Sequence, residues 1–249
     1  MELAVPNRSV HNRVFRVVTL IGVVLCLGGG RAVEAKDGVV LLHGLCRSDT
    51  SMVAMAKALA AEGYVVVNVD YPSRSATIEE LAQAVVPAAL SDPRLVGVSR
   101  VHFVTHSLGG LLVRCYLAEH SLPNLGRVVM LGPPNQGSEV VDRLARLRFF
   151  SYVNGPAGGE LGTGADSLPN RLGPVGFDLG IIAGDRSLNW INSLMIEGAD
   201  DGKVSVERTK VEGMKGHVVV HATHPCLMRN RQVIGLTVAF LKSGQFAAN

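Results

Sequence analysis

The sequence predicts an α/β fold: a mostly parallel central sheet with helices on both faces. Three observations carry that expectation. Short runs rich in Val, Ile and Leu alternate with amphipathic stretches along residues 38–241, a rhythm that implies right-handed crossovers between parallel strands. The first run, Gly38-Val39-Val40-Leu41-Leu42-His43, is apolar without interruption, as suits a strand buried on both faces. A chain of 249 residues with 47% hydrophobic content has the length and composition for one such domain with a large core.

The elements follow in order. After the first strand, Asp49 is placed to cap a helix over about 50–62, with Met52, Met55, Ala56 and Leu59 on one side and Gly63 as its stop. The next strand is expected over 64–69, closed by Asp70-Tyr71-Pro72, and a second helix over about 77–90 with Ile78, Leu81, Val85 and Leu90 apolar. A third strand, 101–105, runs into a helix whose stripe is Leu108, Leu111, Leu112 and Cys115, the i, i+3, i+4, i+7 spacing of a face that meets a sheet. That helix is expected to end near His120. Arg127 to Leu131 reads as a fourth strand, followed by Gly132-Pro133-Pro134-Asn135-Gln136-Gly137 and a helix from Ser138.

Residues 151–178 hold seven glycines and three prolines and show no sustained period. They are expected to form a long loop, which could roof a cleft as a lid. Order returns with a strand at 179–184, a last strand over 217–222 and a final helix over about 231–241.

Charge excludes some partners. Four arginines and two glutamates fall before Lys36, so the rest of the chain carries 20 basic and 19 acidic residues out of 24 and 21. Such a balance gives no footprint for a nucleic acid. The leader itself has the layout of an export signal: basic to Arg16, apolar from Val17 to Leu27, then Gly28-Gly29-Gly30 and Val33-Glu34-Ala35. Cleavage after Ala35 is expected, leaving a single domain over 36–249; retention at the membrane through an uncleaved 1–35 segment is the alternative. Leu25 before Cys26 is too bulky for a lipoprotein signal. Cys46, Cys115 and Cys226 then remain, an odd number for an exported protein.

One stretch carries chemistry. Between the strand and the helix at 101–115 a single serine, Ser107, has no room for an ordinary loop. A turn that tight strains the serine backbone and requires small residues two positions before and after. Gly109 meets the demand and Gly110 extends it; Thr105 meets it in part. This is a nucleophile elbow, written here T-H-S-L-G, which lifts the hydroxyl above the sheet and aims the first helix amides at a developing oxyanion.

An activated serine needs a base and an acid that orients the base. In an open parallel sheet such residues collect beyond the carboxyl ends of the strands. His224 follows the last strand, and Asp200 and Asp201 lie in the loop after the strand ending near Ala183. Loop register alone leaves both aspartates open. The other histidines read as structural: His43 closes a strand, His102 and His221 lie within strands, His106 adjoins the serine, and His120 and His217 sit at element ends. In the turn His43-Gly44-Leu45 the amide of Leu45 is expected to face that of Leu108 across the oxyanion. Cys46 and Cys226 flank the oxyanion and base segments, and a disulfide between them would staple the two together in an oxidising compartment.

These segments together resemble the exported bacterial serine lipases and esterases of the α/β-hydrolase superfamily, in the style of the small triacylglycerol lipases, over about 38–246. His43-Gly44-Leu45, Thr105-His106-Ser107-Leu108-Gly109-Gly110, Asp201-Gly202-Lys203-Val204-Ser205 and Thr223-His224 match the family's oxyanion, nucleophile, acid and base segments. Lipases with D-G-x-V-S use its aspartate, so the resemblance implies Asp201. Leu131 to Ser138 also matches a family segment that lines the site. The resemblance implies an α/β-hydrolase fold and hydrolysis of a small-molecule or lipid carboxylic ester through an acyl-serine, with a lipid interface within reach. It implies no organic cofactor and no obligate protein partner. Two departures stand out: Thr105 replaces the first glycine of the elbow, and no carboxylate set matches the calcium site of larger lipases, so no metal is assigned. An acyltransferase or thioesterase would use the same three residues, and a non-catalytic exported domain would keep the elbow as scaffold.

Overall fold

A computed structural model describes residues 1, 35–145, 148–188 and 190–246. The expected leader therefore lies almost wholly outside the described residues. Six strands, β1 (Gly38–Leu42), β2 (Val65–Val69), β3 (Val101–His106), β4 (Leu125–Leu131), β5 (Leu179–Gly184) and β6 (Gly216–Val220), form one sheet in the order β2-β1-β3-β4-β5-β6. All pairs are parallel. The α/β-hydrolase fold expected from the sequence is the fold observed.

Each sheet face has its own core. In β1, alternate side chains go opposite ways: Val40 and Leu42 pack with α2 (Ile78–Leu90) and α3 (Leu108–Glu119), while Val39 and Leu41 pack with α1 (Val53–Ala61) and α8 (Arg231–Ser243). Burial on both faces is why β1 carries no polar side chain rather than one at every second position; β3 is equally buried but holds His102, Thr105 and His106. The helix after β1 therefore lies on one face and the helix after β3 on the other. β1 and β3 are neighbours whose ends align, Leu42 opposite Thr105. The chain thus leaves adjacent strand ends in opposite directions, which opens a crevice there.

Local chemistry sets the helix ends. Thr77 Oγ accepts from the Glu80 amide at 3.2 Å while the Glu80 carboxylate accepts from the Thr77 amide at 2.9 Å, a reciprocal cap on α2. The cap expected from Asp49 does not form. Asp49–Met52 is a 3₁₀ turn ahead of α1, with Ser48 at the cap position, so Asp49 sits inside the turn rather than before it. β6 stops at Val220, two residues short of expectation, and His221 lies beyond it, exposed and 2.9 Å from Asp185.

The 151–178 stretch is the larger correction. It is not a featureless loop: after α4 (Glu139–Leu144) come α5 (Arg148–Gly159) and α6 (Leu168–Arg171). Gly155 at φ 66°, ψ −172° breaks α5 into two pieces, and Pro156 restarts it. Proline is favoured at the first position of a helix, but the break erases the 3.6-residue period that would have announced one. A short α7 (Trp190–Ser193) precedes the Asp200–Ser205 hairpin-like turn.

Candidate active site

Ser107 stands between β3 and α3 with φ 50° and ψ −118°. Among the described residues only Cys46 shares a positive φ without being glycine. Such a conformation costs about 1–3 kcal/mol, so the surrounding packing must hold it. Gly109 shows how closely: a Cβ there would lie 2.7 Å from the Leu42 carbonyl oxygen and 2.9 Å from that of His43. The first turn of α3 therefore rests directly on the end of β1. A Cβ on Gly44 would come within 3.1 Å of Ser107 Cβ. The turn after β1 and the elbow after β3 are in contact.

That turn is built by residues the sequence did not announce. Tyr71 stacks on His43 with ring centroids 4.1 Å apart and donates its hydroxyl to the His43 carbonyl at 2.6 Å. The Tyr71 amide donates to His43 Nε2 at 3.2 Å, which leaves Nδ1 as donor to the Gly44 carbonyl at 2.9 Å. Burial pushes the His43 imidazole below its ordinary pKa, in keeping with this neutral tautomer. Buried Ser73 then accepts from the Cys46 amide at 3.1 Å. Among the described residues the amides of Leu45 and Leu108 have no protein acceptor.

On the other side, Asp201 and His224 meet. Asp201 Oδ2 accepts from His224 Nδ1 at 2.7 Å, and Oδ1 accepts from the amides of Lys203 and Val204 at 3.0 Å each. The His224 amide closes the loop by donating to the Asp201 carbonyl at 2.9 Å. Asp200 is turned elsewhere: its Oδ1 accepts from the Gly202 amide at 2.7 Å and from the Ser193 hydroxyl at 3.0 Å. The carboxylate in contact with the imidazole is that of Asp201. Gly132, at φ 54°, presses against the pair, since a Cβ there would lie 3.0 Å from Asp201 Oδ2 and 3.1 Å from His224 Nδ1. His106, fully enclosed, donates from Nε2 to the His224 carbonyl at 3.0 Å, and burial holds its pKa well below the usual value.

Ser107 and His224 line one cavity of about 290 Å³. Its walls are largely apolar: Leu45, Pro134, Val140, Val141, Leu161 and Val204, with Phe150 and Asn154 contributed by α5. The 151–178 segment does cover this cleft in part. It is fastened by Arg114, which is buried in α3 and donates to the carbonyls of Asn135, Pro169 and Gly173 at 3.0, 3.3 and 2.7 Å. The expected apolar stripe on α3 was too narrow for this reason: every residue from Leu108 to Cys115 is buried.

The pairing of Cys46 with Cys226 is not formed; both are free thiols, as is Cys115. The left-handed backbone of Cys46 turns its sulfur toward the Val153 carbonyl at 3.6 Å, whereas Cys226 Sγ accepts from Arg229 at 3.3 Å. A carboxylate-held imidazole and a strained serine that line one cavity, with the amides of Leu45 and Leu108 lacking a protein acceptor among the described residues, have the parts for proton removal and oxyanion stabilisation.

Solved structures show the same fold at low identity. A Bacillus licheniformis lipase, BlEst2 in its mature form, superposes with TM-score 0.66 at 19% identity, covering 83% of this chain and 92% of that one. Phospholipase PlaB from Legionella pneumophila gives 0.66 at 18%, over 85% of this chain, which spans only 60% of PlaB. A structure of the metagenome-derived lipolytic enzymes LipS and LipT gives 0.56 at 17%, over 84% and 95%. No curated protein sequence matches significantly. The family model described as "Alpha/beta hydrolase family" matches residues 39–234, from inside β1 to the first turn of α8, so that the sheet, the elbow and the Asp201–His224 pair all fall within it. The chain belongs to the alpha/beta hydrolase family.

Proposed function

We propose that the protein is an exported serine hydrolase of carboxylic esters, with Ser107 as nucleophile, His224 as base and Asp201 as its orienting acid. The observation that carries this reading is the 2.7 Å contact of Asp201 with His224 Nδ1 at the edge of the cavity that Ser107 lines. With Nδ1–H committed to Asp201, Nε2 is the free base. The Ser107 hydroxyl attacks the ester carbonyl carbon as Nε2 takes its proton. The negative charge on the former carbonyl oxygen falls to the amides of Leu45 and Leu108, each such donor being worth roughly 3 kcal/mol in the transition state. The imidazolium returns the proton to the departing alcohol, leaving an acyl-serine. Water repeats the sequence and releases the acid.

The apolar walls of the cavity favour an acyl chain, which supports a lipase or esterase over a hydrolase of polar substrates. A fluorophosphonate probe tests the assignment: covalent labelling at Ser107, absent in Ser107→Ala, is expected. An unlabelled but folded wild-type protein, inert toward p-nitrophenyl esters, would end it.

A further inference from the structure

A second depression, of about 470 Å³, adjoins the Ser107 cavity across a ridge made by Cys46 and Arg47, which line both. Its character is different. Arg47 and Arg229 line it together with Ser48, Thr50 and Ser51, and no carboxylate does. Among the described residues neither arginine has a carboxylate partner; the one side-chain contact of Arg229 goes to Cys226 Sγ at 3.3 Å. By contrast Arg94, Arg100, Arg171 and Arg208 each hold a carboxylate. A third depression also borders Arg47 and contains Arg74, but the exposed carboxylate of Asp70 lines it too and offsets the charge there. The uncompensated cations are thus on the Arg229 side.

Two guanidinium groups in a concave wall concentrate positive potential, and their forked donors match the oxygens of a phosphate. Ser48 and Thr50 bond each other at 2.7 Å, which uses one of their two hydroxyl hydrogens and leaves the other for a third phosphate oxygen. The apolar cavity that Ser107 lines and this cationic depression thus share the Cys46–Arg47 wall.

Resting on the ester-hydrolase reading above, we propose that the substrate is an acyl ester whose alcohol part carries a phosphate. The acyl chain fills the cavity of Ser107, and the phosphate sits on Arg47 and Arg229. The substrate class is a phosphate-bearing acylglycerol rather than a neutral one.

The test compares hexanoate release by the full-length protein from 1-hexanoylglycerol and 1-hexanoylglycerol 3-phosphate, both as dissolved monomers. The expected kcat/KM ratio favours the phosphate ester by about tenfold or more, and falls toward one in Arg47→Gln/Arg229→Gln. Using the ratio removes any loss common to both substrates. A wild-type ratio of one or less overturns the phosphate site while leaving ester hydrolysis standing, and a high ratio unchanged in the double variant overturns the assignment to these arginines. Release from neither ester, with Ser107 unlabelled by fluorophosphonate, removes the parent reading and this one with it. Phosphatidylglycerol vesicles distinguish the source: preference for vesicles marks a membrane headgroup and preference for the monomer a soluble ester, and both sustain the phosphate site.

Discussion

The Asp201 carboxylate divides its two oxygens between two tasks: Oδ2 takes His224 Nδ1–H at 2.7 Å, and Oδ1 takes the amides of Lys203 and Val204 at 3.0 Å. It is therefore both the partner of the imidazole and the clasp of its own loop. Asp201→Asn keeps the size but turns a buried acceptor into a group with two donors, one of which opposes Nδ1–H. Loss of kcat by roughly a thousand- to ten-thousand-fold is expected for ester hydrolysis. Asp200→Asn retains the oxygen that caps Gly202 and Ser193, so less than a tenfold loss and about 1 kcal/mol of stability are expected. Steady-state kinetics of the two variants side by side decide it; an inactive Asp200→Asn beside an active Asp201→Asn would reverse the assignment.

Gly132 offers a test that touches neither reacting group. Its left-handed backbone disfavours any other residue, and an added methyl would crowd Leu227 at 2.9 Å as well as the Asp201–His224 contact. Gly132→Ala is expected to cost at least about 1 kcal/mol of stability and to lower kcat by tenfold or more, with KM for a short ester little changed. Wild-type kcat in a folded Gly132→Ala protein would mean that the pair tolerates displacement.

Much of this was readable in advance because it rests on local rules. An elbow needs small residues at fixed offsets, so Ser107 and Gly109 announce themselves, and a strand buried on both faces can be apolar throughout, so β1 does too. Loop register could not separate Asp200 from Asp201, since one residue decides which faces His224, and only the resemblance of Asp201-Gly202-Lys203-Val204-Ser205 to the lipase acid segment favoured Asp201. The roof was expected over 151–178, but its helices were missed because Gly155 interrupts their period. Tyr71, Ser73 and Arg114 were missed for another reason: each acts on a carbonyl or amide distant in the chain, and a backbone partner leaves no mark in the sequence. Cys46 and Cys226 show the converse, in which closeness to neighbouring segments says nothing about where the sulfurs point.

Stability should fall on mild acidification. Burial lowers the pKa of His43, His102, His106 and His217 below the ordinary 6.5. Below pH 6.5 the unfolded chain binds protons at these sites before the native protein does, so unfolding is favoured as pH falls from there toward the native pKa values. Each imidazole adds at most about 1.4 kcal/mol per pH unit to the slope. The raised carboxyl of Glu160 works in the opposite sense, gaining native stability as it protonates, but it is one group against four. The lowered carboxylates Asp37 and Asp92 titrate only under their ordinary 3.8. Urea unfolding between pH 7.5 and 4.5 is expected to show a decline beginning near 6.5, before those carboxylates contribute. A flat profile down to 4.5 would contradict the burial of these rings as neutral groups.

Arg114 is a buried link between the roof and the body of the domain. The residue is 3% exposed; its guanidinium has no carboxylate partner among the described residues and is held by the carbonyls of Asn135, Pro169 and Gly173 together with Asn135 Oδ1 at 3.1 Å. Burial pulls its pKa down to about 10, so the charge survives at neutral pH and the carbonyl dipoles must compensate it. Arg114→Met removes the charge but leaves those carbonyls buried and unpaired, which is expected to cost about 2–4 kcal/mol. The loss should be uneven. Pro169 and Gly173 are tied to α3 through this residue, whereas Asp142 and Ser138 hold the chain before α6, so proteolytic cleavage within 168–175 should appear well before global unfolding. Because Leu161 lines the Ser107 cavity, KM for a longer acyl ester should rise by several-fold while kcat for acetate esters changes less. An Arg114→Met protein that unfolds earlier but is cut no faster in this segment would show that the residue supports the core alone and does not hold the roof.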